Sequence, residues 1–476
     1  MLGTVGTRFV EAHRTGTSLA AWLASRGRWI DEEMTGPCWS PRFLGTPGRS
    51  GEMPVMGPCR TYGGAMNIRN TLFAMMVLGA LADSASATDG LEPIDASMQA
   101  RARGGADVAI VDSVLSQLNN PAGLALRPRG VNSFDFSGQL LFTNLRWKGP
   151  ADDSTSHGMF PLMNFGLAYP IDDRWTYGIA MHSKSGMESN YNRRHLLIPF
   201  MNRRVGSDIK NASLSFNLGS RVTDKLSVGV GVRAEMVAAK FSAVLGPADV
   251  DFGRGFAYGV GFNLGVHYQA RDDLSFGFTY RSPSWFGDLS GGDLDVSLLG
   301  VLPIKLGRAN IDEFRLPQQV SAGVAWDAND WLKLVGEVRW TDYPSSSFGS
   351  MTVAVNGPID MRFPFPASYK EQWVFIAGAE IRLDSHWTLG VGYNYASNVV
   401  PDSNVLAIAP ATLEHHITTG LRYEQDHWWV GGGYIYGFNT TTRADGSTDV
   451  PLGIDFASSE IDHQQHSVFF GFGFDF

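Results

Sequence analysis

From Phe134 to the C-terminus, large apolar residues recur at every second position. Phe256, Tyr258, Val260, Phe262, Leu264, Val266 and Tyr268 alternate with Ala257, Gly259, Gly261, Asn263, Gly265 and His267. Trp387, Leu389, Val391, Tyr393 and Tyr395 alternate with Thr388, Gly390, Gly392, Asn394 and Ala396 in the same way. A period of two is that of a β-strand, whose successive side chains point to opposite faces. In a soluble sheet the face opposite the apolar one carries charge. Here it is Gly, Ser, Asn and Thr, which suits a crowded or wet barrel lumen with the apolar face against lipid. Alternation and turn signals predict fourteen strands, near 134–146, 161–171, 174–184, 207–222, 226–241, 254–270, 274–288, 312–327, 331–345, 370–383, 387–397, 412–425, 428–439 and 464–476. Each is long enough to cross a bilayer when tilted, and their even number suits a closed antiparallel barrel.

The connectors alternate in length. Short ones at Asp172-Asp173, Thr223-Asp224-Lys225, Arg271-Asp272-Asp273, Ala328-Asn329-Asp330, Asp384-Ser385-His386 and Gln425-Asp426-His427 are rich in turn-forming Asp and Asn. The other seven are longer, which is the layout of outer-membrane barrels and puts both termini on the short-turn, periplasmic side. Trp175, Trp285, Trp331, Trp340, Trp387 and Trp428 fall near strand ends, where interfacial girdles belong. Phe470, Phe472, Phe474 and Phe476 alternate with Gly471, Gly473 and Asp475. A closing strand that ends on an aromatic resembles the recognition signal of bacterial outer-membrane barrels, which implies the barrel-assembly machinery as a partner through Phe476.

Composition narrows the class further. Mean hydropathy is −0.08, too polar for a bundle of transmembrane helices. The one helix-like apolar run, Leu72 to Ala82, is too short to span. Net charge is −9, which argues against a nucleic-acid partner. That run instead reads as the core of an export signal. It follows the short positive segment Met66-Asn67-Ile68-Arg69-Asn70 and precedes the small-x-small site Ala85-Ser86-Ala87. Residues 66–87 are thus expected to be a signal peptide, and residues 1–65 a wrongly extended or unstructured start. Both cysteines, Cys38 and Cys59, precede Met66, so the expected mature chain has no disulfide or thiol chemistry.

Residues 101–126 are mixed and irregular, and they contain Asn120-Pro121-Ala122-Gly123-Leu124 after a Gly104-Gly105-Ala106-Asp107 stretch. This segment resembles the hatch of the long-chain fatty acid and hydrocarbon transporter (FadL/TodX) family of outer membranes. Thr279-Tyr280-Arg281-Ser282, Leu316-Pro317, Tyr393-Asn394-Tyr395-Ala396 and Val400-Pro401-Asp402 resemble that family's later landmarks, in order. The resemblance implies an all-β protein: a 14-stranded antiparallel transmembrane barrel over 134–476, plugged by an N-terminal hatch over 88–133. Gly104, Gly105, Asn120, Pro121 and Ala122 would be hatch residues. It also implies passive uptake of a hydrophobic small molecule, by capture outside, an apolar lumen pocket and sideways exit at the third strand.

Three long loops carry apolar residues that could form the entry site: Leu196, Leu197, Ile198, Phe200 and Met201 in the second, Val296 to Ile304 with Leu298 and Leu299 in the fourth, and Phe363 and Phe365 in the fifth. Each could equally pack on its neighbours. Arg193 and Arg194, with Arg203 and Arg204, bracket the first loop and could pair with a ligand carboxylate or with lipopolysaccharide phosphates. In the third strand Gly178 weakens pairing and is the candidate lateral gate, although it could be an ordinary lumen glycine. No catalytic or metal constellation stands out. His415-His416 and the Asp462, His463, His466 group lack accompanying ligands, and Gly291-Gly292-Asp293-Leu294-Asp295 occurs once, as turns do. A monomer in the cell outer membrane, without cofactor, metal or enzymatic activity, is therefore expected. A general diffusion porin and an outer-membrane lipid-modifying enzyme are the alternatives.

Overall fold

The computed structural model describes residues 89–476 apart from 151, 196, 199, 299–301 and 358–359. The proposed leader and the two cysteines, together with Leu196 and Leu299, lie outside the described residues. Fourteen strands close into one antiparallel barrel: β1 (Ser133–Lys148), β2 (Asp153–Pro170), β3 (Trp175–Arg194), β4 (Asn202–Arg221), β5 (Leu226–Leu245), β6 (Ala248–Arg271), β7 (Leu274–Arg281), β8 (Gln319–Asn329), β9 (Leu332–Thr341), β10 (Gln372–Arg382), β11 (Trp387–Ala396), β12 (His415–Gln425), β13 (Trp428–Arg443) and β14 (Glu460–Asp475). β14 pairs back onto β1 from Ser133↔Asp475 to Lys148↔Glu460, so the sheet has no free edge between its first and last strands. The outward face is apolar. Tyr258, Val260, Leu264, Phe276 and Phe278 are exposed to the lipid side, as are Phe470, Phe472 and Phe474, which pack with Phe134 and Phe136. The inward face is small and polar, with Ser215, Asn217, Asn263 and His267 buried.

The short connectors close by the chemistry expected of them. The Asp172 carboxylate accepts from the backbone N–H groups of Arg174 and Trp175, both at 2.8 Å, and Asp384 accepts from those of His386 and Trp387. These bonds hold both carboxyls below their ordinary range. At the same end the chain termini of the barrel meet: the Asn132 and Phe476 backbones exchange two hydrogen bonds.

The opposite end departs from the expected loops. β3 to β6 are 20 to 24 residues long, about twice what a tilted strand needs to cross a bilayer. Their loop-side ends project past the shorter β7 to β11, which have 8 to 11 residues, and the β5–β6 connector shrinks to a two-residue turn at Gly246-Pro247. Gly246 has a φ of +58°, a left-handed turn conformation open to glycine. The fourth loop is mostly a hairpin, Leu289–Leu298 with Leu302–Ile311. The first of these strands pairs with the projecting part of β6, and the second with Met351–Asn356 in the fifth loop. Two prolines interrupt the wall below this outer sheet: the expected strand 274–288 breaks at Pro283 and resumes as Ser284–Phe286 against β6, and Pro317 parts Arg315–Leu316, which pairs with that segment, from β8.

Residues 89–127 lie inside the barrel and are almost entirely buried. A one-turn helix, Met98–Ala102, is capped by the Ser97 hydroxyl, and two 3-10 turns follow at Val114–Leu118 and Pro121–Leu126. The barrel wall makes room for this segment with glycine. A Cβ at Gly277 would sit 2.0 Å from the Val108 carbonyl oxygen, and one at Gly392 would sit 2.1 Å from the Gly104 nitrogen. Gly277→Ala should therefore push the segment off the wall at an overpacking cost of about 1–3 kcal/mol. Hydrogen exchange at residues 108–120 should speed up accordingly; unchanged protection there would show that the close approach is not used.

Candidate functional site

The inner segment is held by directed bonds as well as by shape. Gly104 and Gly105, at φ +82° and +98°, end the Met98–Ala102 helix in a left-handed turn, with the Gly105 N–H donating to the Ala100 carbonyl at 2.7 Å. The Gly104 N–H donates to the Thr418 hydroxyl on β12. Asn120 is used on both ends of its amide. Its Nδ2 donates to the carbonyls of Val108 (2.7 Å) and of Val266 on β6 (3.0 Å), and its Oδ1 accepts from the Ala122 N–H. Pro121 follows as the first residue of the 3-10 turn, where a missing N–H costs nothing. Asp135 on β1 accepts from the Ser113 hydroxyl, the Val114 N–H and Trp429 Nε1.

Toward the short-turn end, Arg103 is fully buried and bonds to Asp107, Asp112 and, across to the wall, Glu380 on β10 at 2.8 Å. Burial pushes the Asp112 carboxyl up, but Arg103 and Arg422 outweigh it and hold the group well below the usual carboxylate range. Burial, with Asp95 nearby, pushes Asp107 well above it. Higher in the barrel a second charged layer joins the inner segment to the wall. Lys184 bonds to Glu235 (3.0 Å) and Ser284, Arg233 to Glu235 (2.7 Å), Arg281 to Glu92, and Arg339 to Glu337 and Asp89.

Above that layer the interior turns apolar. One continuous cluster runs from Leu91 through Met187, Tyr191, Ile209, Phe286, Leu294, Phe314, Tyr343, Phe348 and Tyr369 to Phe456 and Ile461. Its centre is the β11–β12 connector, residues 397–414, which turns inward. Val399, Val405, Leu406, Ala407 and Ile408 are all buried. The Ile408 carbonyl accepts from the Ser207 hydroxyl, and the Ala409 carbonyl from the Tyr369 hydroxyl.

The wall beside this apolar region is incomplete. β2 and β3 pair only from Asn164↔His182 to Pro170↔Thr176. Among the described residues no ladder joins β2 residues 153–163 to β3, although β2 continues to pair with β1 and β3 with β4. A register shift between Ser183 and Ser185 marks where β3 parts from β2. The seam is bridged by other means. The Ser183 N–H donates to Asn164 Oδ1, the Gly186 N–H to the Leu91 carbonyl of the inner segment, and the Asn190 N–H to the Ser156 hydroxyl. Gly178 lies below the parting, in the paired stretch, and its inward face meets Gln117.

The expected entry residues divide by exposure. Phe200 is 88 % exposed, and Leu197, Leu298 and Phe363 are exposed too; Ile198 is half-buried, and Phe365 packs on the interior cluster. Arg194 is exposed but Arg193 is buried, stacked 3.6 Å over the Trp147 ring. Arg203 is paired with Asp249. His463 and His466 point to opposite faces of β14, the first buried and the second beside Tyr434. Among the described residues no group of three His, Cys, Asp or Glu could hold a metal ion.

Comparison with known proteins agrees with this architecture. The chain is 21 % identical over 324 residues to the long-chain fatty acid transport protein of Salmonella typhi, covering 59 % of this chain and 67 % of that one. It is 22 % identical over 345 residues to outer membrane protein P1 of Haemophilus influenzae, covering 64 % and 70 %. The toluene transporter TodX of Pseudomonas putida superposes with a TM-score of 0.67 at 18 % identity, over 80 % of this chain and 99 % of that one. The Ralstonia pickettii toluene transporter TbuX gives 0.65 at 20 %, over 80 % and 98 %. The model of the family described as outer membrane protein transport protein (OMPP1/FadL/TodX), whose members are transport channels rather than enzymes, matches residues 77–447. This outer-membrane β-barrel belongs to that family of hydrophobic-compound transporters.

Proposed function

We propose that the barrel takes up long-chain fatty acids or hydrocarbons passively. They would be captured among the exposed apolar residues of the loop end, lodge in the apolar interior and leave sideways between β2 and β3. The missing β2–β3 ladder carries this reading. A closed antiparallel barrel has no reason to leave backbone groups bridged by side chains unless the seam opens. An exit into the bilayer spares an apolar molecule the polar layers of Lys184, Glu235 and Arg103 below it. Those layers and the buried inner segment also disfavour a general diffusion pore. The chain would be exported by a leader ending near Ala87, giving a mature barrel with the hatch at its N-terminus.

A staple across the seam tests the exit. Ser156 and Ser189 both turn inward at the seam, and the Ser156 hydroxyl accepts from the backbone N–H that follows Ser189, that of Asn190, at 2.9 Å. With Cys38 and Cys59 replaced by serine, Ser156→Cys with Ser189→Cys should permit a disulfide. Cells carrying the oxidised pair should take up labelled fatty acid or toluene at least tenfold more slowly, and reductant should restore the rate. Undiminished uptake through a stapled seam would refute lateral exit.

A further inference from the structure

The buried cations of the lumen are not equivalent. Lys184, Arg103, Arg233, Arg281 and Arg339 each pair with a carboxylate. Arg101 and Arg193 form no ion pair among the described residues, but Arg101 bonds through Nε to the Asp95 carbonyl and through Nη1 to Ser137, which leaves only Nη2, whereas Arg193, 1 % exposed, keeps its whole side edge open. Its Nη1 donates to the Trp147 carbonyl (2.9 Å) and the Ser154 hydroxyl (3.2 Å). Its Nε and Nη2 have no partner. Those two atoms form the side-on edge of the guanidinium, the edge that takes a carboxylate with two parallel hydrogen bonds. A buried guanidinium whose two parallel donors meet no protein acceptor is costly by itself and suits a carboxylate ligand.

Two further donors stand beside it on the inward face of β3. The Tyr191 hydroxyl is buried without a partner. His195 accepts the Leu197 N–H at Nδ1, so its ring proton sits on Nε2, which is also unpartnered. Residues 191, 193 and 195 thus offer four unused donor atoms in a row at the top of the β2–β3 seam. One unused acceptor opposes them, Asp455 Oδ1, on the turn that carries Phe456. Trp147 forms the floor, edge-on to Tyr191 and stacked on Phe456, and these aromatics belong to the continuous apolar interior.

We infer that Arg193, with Tyr191 and His195, holds the carboxylate head of an amphiphile whose tail lies in the apolar interior. This rests on the reading of the barrel as a passage for apolar molecules, and it adds a station for a head group at the mouth of the seam. Arg194 is exposed on the other face of the strand, away from these aromatics.

Purified full-length barrel would be titrated at pH 8 with labelled hexadecanoic acid and with hexadecanol, which share a tail and differ in the head. The parent should bind the acid more tightly. Arg193→Gln should lower the acid-to-alcohol affinity ratio at least tenfold, and Tyr191→Phe should lower it less. Asp455→Asn, which removes the opposing carboxylate, should raise the ratio and keeps the test decisive if Arg193→Gln does not fold. Excess lipopolysaccharide should not displace the acid. A parent that binds both ligands equally, variants that leave the ratio unchanged, or displacement by lipopolysaccharide would overturn the head-group site alone. A folded parent that binds neither ligand would overturn the transport reading and this site with it.

Discussion

Arg103→Met should release the inner segment from the barrel without unfolding the barrel itself. The side chain donates from Nε to the Ala106 carbonyl, from Nη1 to Asp112 and Glu380, and from Nη2 to Asp107 and Asp112, all at 2.7–3.1 Å. Methionine fills the volume but takes the cation from buried Asp107 and from the half-buried Asp112 and Glu380, with only Arg422 left on Asp112. Breaking a buried pair from one side costs about 3–5 kcal/mol. The fourteen-strand ladder does not pass through Arg103, so the loss falls on the inner segment. Single barrels in planar bilayers should change from nearly silent to conducting, while heat-modifiable gel mobility stays that of a folded barrel. Deleting residues 101–126 should go further in the same direction. Mild acid should not imitate the substitution. The Asp112 carboxyl is depressed in the folded state, so its contribution is present above the ordinary carboxylate value and is lost only as pH falls through the depressed one. A silent, folded Arg103→Met barrel would show that this cluster does not hold the plug.

The strands were legible because lipid on one side and a packed lumen on the other impose a strict period of two on every crossing. Asn120 and the paired glycines were legible for a different reason: a cap, a proline and a left-handed turn are local chemistry. The seam was not. Trp175 and Tyr177 face outward on β3, and after the slip at Ser183–Ser185 Met187 and Tyr191 face inward. Both sets stand at odd positions and both are large, so the change of face leaves the apolar spacing intact and hides the bulge. The same slip decides which of two adjacent arginines is buried. The hairpin in the fourth loop was hidden by its position outside the expected membrane span, although Leu294, Val296 and Leu298 alternate as a strand should. The inward connector had no periodic signal to read. Its burial is set by two other loops. Asn404 Nδ2 donates to the carbonyls of Pro366 and Ala367, and its Oδ1 accepts from the Thr448 hydroxyl and the Asp449 N–H.

That connector is where the second large effect is expected. Residues 397–414 fill from the loop side the space that an incoming apolar molecule would need, and Ile408 is 3 % exposed at the centre of the cluster. Ile408→Asp would bury a carboxylate with no cation to meet it, at a cost of several kcal/mol even after relaxation. Moving the middle of the connector out into water avoids most of that cost, because residues 405–411 are tied to the rest of the protein mainly by their own burial and by two hydroxyl contacts at residues 408 and 409, while the bonds of Val399, Asp402, Ser403 and Asn404 hold its first part. The barrel strands on either side stay paired from Tyr395↔His415 to Trp387↔Tyr423. The variant should therefore fold, expose residues 405–411 to protease added outside intact cells, and admit a hydrophobic dye to the interior faster than the parent does. Ile408→Val, which keeps the surface apolar, should remain protected. A connector that stays resistant in Ile408→Asp, in a barrel of normal abundance, would mean that the loop-side filling is fixed and that entry runs elsewhere, past the exposed Phe200 and Phe363 toward the top of the seam.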